Sequence, residues 1–187
     1  MRRAKVVLGV LCLLLLAFSA AIATQEGAAK KPAAKKPAAK KGMLLPDWKA
    51  ENGTYQAPAA KVGEKPDQPW TQTTVSAAVG GKPLEGEVVT VTGEIIDYSC
   101  YLQVGKHGEK HKDCGVKCLR NGQPIGLLAE DGTIYLLMEE EHDPRRDSMT
   151  DFRGAAIENF ADVVEVTGTR SAVDGQRAIY VHGYLKK

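Results

Sequence analysis

Aromatic side chains are scarce in this sequence: three Phe, two Trp and six Tyr make up 6% of its 187 residues. So few rings disfavour a nucleic-acid surface built on base stacking. Long apolar runs are scarce too. The longest, residues 6–18, falls short of the roughly 20 residues that a membrane-spanning helix needs, and no later stretch comes near it. Also missing are a Gly-rich phosphate loop, a Gly-x-Ser-x-Gly turn, a His-Glu-x-x-His helix and the Cys-x-x-Cys-His of covalent haem attachment. Each absence removes the usual sequence signature of one chemistry: phosphate binding, serine hydrolysis, zinc proteolysis and c-type haem.

What is present begins with Arg2, Arg3 and Lys5, then the apolar run, then small residues ending Ala21-Ile22-Ala23. This is the three-part layout of a secretory signal, with cleavage expected after Ala23 and a soluble extracytoplasmic product. Retention as an uncleaved N-terminal anchor is the competing reading. Cys12 lies within the apolar run, follows Leu11 and comes too early for lipid attachment, so it leaves with the signal. Residues 24–42 are a low-complexity stretch of Ala, Lys and Pro in which Lys-Lys-Pro-Ala-Ala starts at Lys30 and again at Lys35. Such a composition cannot bury apolar surface and is expected to stay disordered.

Charge is distributed unevenly. The signal carries three positive charges and the tether a net five, so within the total of +2 the chain from Met43 onward carries a net six negative. A basic tether on an acidic domain fits contact with anionic lipid head groups or cell-wall polymers; a solvated spacer, kept extended by proline, fits equally well. An acidic globular part again disfavours nucleic acid as a partner.

Residues 43–86 read as an irregular strap rich in Pro, Gly and Ala, pinned to the domain by Trp48, Tyr55 and Trp70. A domain over residues 87–187 follows. Val88, Val89, Val91, Ile95 and Ile96 predict a long first strand running on to Tyr98-Ser99-Cys100. Gly105 and Gly108 then mark a loop, and residues 112–119 a short helix stopped at Asn121-Gly122. Residues 125–128 and 134–138 flank Glu130-Asp131-Gly132 as a hairpin. Residues 150–160 have helical spacing in Phe152, Ala155, Ala156 and Phe160. Strands at 163–167 and 178–185 close the chain. This order, mainly β with one helix before the last two strands and a Cys/His-bearing insertion after the first, predicts a small five-stranded barrel of the oligonucleotide/oligosaccharide-binding (OB) type. A β-sandwich with an added helix is the competitor.

Three cysteines remain in the mature chain, Cys100, Cys114 and Cys118, and an odd number cannot pair completely within one chain. Cys114 and Cys118 lie one helical turn apart, and His111, three residues before Cys114, joins their face. Cys100, His111, Cys114 and Cys118 make a complete tetrahedral set for zinc, and soft ligands also suit copper(I). His107 is a substitute ligand, and Asp97 is suited to orient an imidazole from behind. A disulfide from Cys100 to Cys114 or Cys118 is the alternative, stapling the insertion to the barrel.

The string Gly93-x-x-x-Asp97-x-x-Cys100-Tyr101, His111-Lys112-x-Cys114-Gly115-x-x-Cys118 and Gly122-x-Pro124-Ile125-Gly126-Leu127 resembles a group of secreted bacterial proteins of unassigned function. The resemblance covers residues 93–128 and implies an OB-type barrel, with no activity to carry over. Cys-x-x-x-Cys is also similar in spacing to copper sites of Sco-type chaperones and cytochrome oxidase. The oxidase motif needs a His soon after its second Cys, whereas none follows Cys118 until His142.

Three functions are consistent with these features: an exported metal-binding domain, a thiol oxidoreductase using Cys114 or Cys118 with Cys100 as the resolving thiol, and an interaction domain for a carbohydrate or peptide whose cysteines only staple. The first is the expectation carried forward. Elsewhere, Arg145 and Arg146 with Asp143, Asp147 and Asp151 read as mutually screening surface charges, Glu139, Glu140 and Glu141 with His142 as a solvated strand end, and His182 as structural or exposed.

Overall fold

A computed structural model describes residues 48–139 and 149–183. The signal, the tether, His142 and the Arg145–Arg146 loop lie outside the described residues. No described helix is long and apolar enough to cross a membrane.

The β-branched run that begins the domain forms one long strand, β2 (Gly86–Asp97), preceded by a short strand β1 (Ala60–Val62). The remaining strands are β3 (Ile125–Ala129), β4 (Ile134–Met138), β5 (Val163–Val173) and β6 (Gln176–Val181). β2 is long because it serves two antiparallel partners: Gly86 to Glu94 pair with β5, and Gly93 to Asp97 with β3. At the overlap, Gly93 leaves room that a side chain would take, since a Cβ there would stand 2.7 Å from the Leu128 carbonyl oxygen. The β3–β4 hairpin, a parallel β4–β6 pairing and the antiparallel β5–β6 hairpin complete the circuit. Asp174 and Gly175 turn the last hairpin with φ of 49° and 84°, the left-handed geometry that two-residue hairpins favour. The result is the expected closed five-stranded barrel, here with an extra strand.

That extra strand corrects the reading of residues 43–86 as irregular throughout. β1 runs parallel to β5, with Ala60 opposite Val164 and Val62 opposite Val166, and Val62 is buried. The segment also holds a short helix, α1 (Gln72–Ala77), and a 3-10 turn at Val79–Gly81. The aromatic anchors dock as expected: Trp70 packs edge-on against Tyr180 and donates its Nε1–H to the Leu84 carbonyl, while Tyr55 reaches the Leu128 carbonyl.

Three further helices are α2 (Tyr98–Val104), α3 (Lys112–Arg120) and α4 (Asp151–Glu158). Thr150 caps α4 by accepting a hydrogen bond from the Arg153 amide. One continuous core unites Ile95, Leu127, Leu137, Val164 and Ile179 of the barrel with Leu119, Phe152, Ile157 and Phe160 of the helical parts.

Candidate metal site

The site begins where β2 stops. Asp97 is buried, and its Oδ1 accepts the amide hydrogen of Cys100 at 3.0 Å. That bond satisfies one of the free N–H groups of a new helix, and the chain turns into α2 at Tyr98. Cys100 therefore sits in the first turn of a helix, which corrects the expectation that it ends the strand. α2 in turn ends at Gly105, whose φ of 68° allows its N–H to bond back to the Tyr101 carbonyl.

The following loop is tied down by Glu94. One carboxylate oxygen of this buried residue accepts from the Gly108 amide, and the other lies 2.9 Å from Nδ1 of His107. His107 is thereby engaged with Glu94 and does not join the ligand group described below. A 3-10 turn at Glu109–His111 then delivers His111 to the N-cap position of α3.

His111 is 1% exposed. Trp48 stacks on its ring at 5.8 Å with 23° between the planes, and Phe160 meets it edge-on at 5.9 Å. Its Nε2, like the Nε1 of the stacked Trp48, is buried without a hydrogen-bond partner in the protein, a state that costs free energy. Burial holds the imidazole below its ordinary value of 6.5; Asp97 opposes the shift, and Lys106 and His107 add to it.

Asp97, Cys100 and His111 each present one ligand atom, and these three atoms lie within 4.8 Å of one another. Two of the four sequence-derived ligands, Cys100 and His111, are thus brought together, with Asp97 as the third member of the group. Cys114 and Cys118 stand outside it, on α3. Cys118 is nevertheless near it: its thiol lies close enough to the Asp97 carboxylate and to Cys114 for both to act on it. Burial, followed by these contacts, pushes the Cys118 thiol up to about 11, and Cys100 is raised by burial and by Asp97. All three thiols are free, Cys114 exposed and the other two partly so.

Chemically, a carboxylate, a thiol and an imidazole that converge from the end of a strand, the start of a helix and the turn before another can hold a metal ion. Sequence reasoning gave two contributors other places: Asp97 behind an imidazole, and Trp48 as a pin for the strap, so far from the motif that only the fold joins them. Comparison with known protein families, with characterised proteins and with solved structures finds no match for this chain.

Proposed function

We propose that this chain is an exported, non-catalytic domain that binds one soft or borderline metal ion, zinc foremost, through Asp97, Cys100, His111 and Cys118. The observation that carries the reading is the convergence of Asp97, Cys100 and His111 within 4.8 Å of one another around a buried histidine whose Nε2 has no partner. The thiol of Cys118, close enough to the Asp97 carboxylate to be raised by it, supplies a fourth donor once its proton leaves. A carboxylate among the donors favours zinc over copper(I), which prefers thiolates alone. Export rests on the signal-like N-terminus, and contact of the Lys-rich tether with anionic surfaces on its charge.

Native mass spectrometry of the reduced chain, with zinc and copper(I) offered in competition and then removed by chelator, tests this. One zinc per chain is expected. Cys100→Ser and His111→Gln are each expected to weaken binding about 100-fold or more, since each of four ligands carries roughly a quarter of about 10–16 kcal/mol. A reduced chain that takes up no metal, or a His111→Gln variant with unchanged affinity, refutes the reading. For the chain purified without reductant, a metal-free mass two hydrogens light identifies a disulfide staple instead.

A further inference from the structure

Cys114 has no part in the proposed ligand set, yet it is the exposed thiol of the three and lies one turn before Cys118 on the same face of α3. We propose that Cys114 is a redox trigger for the metal site, which a small-molecule or protein disulfide oxidises to a Cys114–Cys118 bond, removing Cys118 from the metal. This deepens the metal-binding reading and rests on it.

The chemistry balances with a disulfide RSSR as oxidant. The Cys114 thiolate attacks one sulfur of RSSR, forming a mixed disulfide and releasing the first RS⁻. The Cys118 sulfur then leaves the metal and attacks Cys114 Sγ, expelling the second RS⁻. The two cysteine sulfurs lose two electrons, RSSR becomes two RSH with one proton from Cys114 and one from solvent, and the metal departs as the free divalent ion. The thiols are thus partitioned. Cys100 stays with Asp97 and His111, while the other two form the couple, which accounts for an odd number of cysteines without leaving one idle.

Geometry makes the couple reversible. Residues four apart on a helix hold their Cβ atoms about 5–6 Å apart, whereas a disulfide needs about 3.5–4.5 Å. Closing it therefore loosens one turn of α3. That turn contains Gly115, which is buried against the Phe160 ring, and Phe160 in turn packs on His111. Oxidation is transmitted to a second ligand through packing as well as through the lost thiolate.

The experiment loads the reduced full chain with one equivalent of zinc, adds oxidised glutathione, and follows released zinc with a chromogenic chelator while tandem mass spectrometry maps the disulfide. Wild type is expected to release its zinc as a Cys114–Cys118 bond appears. Cys114→Ser, loaded equally well, is expected to release it at least tenfold more slowly. Equal release rates, a bond that joins Cys100 to Cys118, or zinc retained after the Cys114–Cys118 bond has formed overturns the proposal. A reduced chain that binds no zinc overturns the metal reading and the release step with it. The mapped disulfide is read independently and shows in that case whether the thiols pair as proposed.

Discussion

Acid sensitivity follows from a single side chain. Because burial keeps His111 neutral at a pH where an unfolded chain would protonate it, the metal-free protein binds fewer protons folded than unfolded below the ordinary value of 6.5. Its contribution to stability is complete above that pH and is lost as the pH falls through the lowered value. Thermal melts of metal-free protein should decline between pH 7 and pH 5, and His111→Gln should flatten the decline. The thiols act in the opposite range. Cys118 and Cys100 are raised above their ordinary value of 9.0, so metal must displace their protons. Zinc affinity, read by competition with a chelator, should accordingly strengthen as the pH rises from 6 to 8. At this scale much was legible: a histidine three residues from a cysteine, with another cysteine upstream, identified Cys100 and His111 correctly as neighbours. Asp97 was assigned a supporting place because carboxylates rank low for soft metals. Its approach to the sulfur and the imidazole depends on a helix that starts at Tyr98, and Tyr-Ser-Cys carries no helical pattern of its own.

Among the elements, α3 is held at both ends by contacts that mutation can separate. Gly115 faces the Phe160 ring so closely that an added methyl would overlap it. Gly115→Ala should cost about 1–3 kcal/mol by overpacking, measured by denaturant unfolding, despite the better helix propensity of alanine. At the other end, Nη1 of Arg153 donates to the carbonyls of Leu119 and Gln123, and its Nη2 pairs with Glu139 at 2.5 Å, both side chains largely buried. Arg153→Met should cost about 2–4 kcal/mol, because it removes the cation paired with the buried Glu139 carboxylate, which keeps its hydrogen bond from Thr150, and the donor to two carbonyls. The same unfolding measurement distinguishes this from a surface ion pair, whose loss would cost less than about 1 kcal/mol. Strong patterns made most elements readable in advance: the valines of β2, the turn residues of both hairpins, and the 3.6-residue spacing of α4. β1 was unreadable because Ala60-Lys61-Val62 has no periodicity of its own, and its extended shape is imposed by the free edge of β5.

For the molecule as a whole, the segment before the barrel is an integral part of it. Val163 donates to the Asn52 carbonyl, Ala59 to that of Val163, and Lys112 binds Glu51, so residues 51–62 are fastened along β5 and to α3. A chain starting at Met43 should melt with the full protein, whereas one starting at Gly63 loses Trp48, Val62 and the β1 pairing. It should melt many degrees lower and bind zinc more weakly, as calorimetry with and without metal would show. The two-partner strand β2 has an implication for the order of events during biosynthesis. Asp97 lies on a strand whose first half pairs with β5, and His111 leans on Phe160, just before β5. Until the ribosome has added those late residues, the cradle has neither its wall nor its floor. On the proposed metal-binding reading, metal acquisition is therefore post-translational, and the ion captured is set by the pool where the finished chain folds.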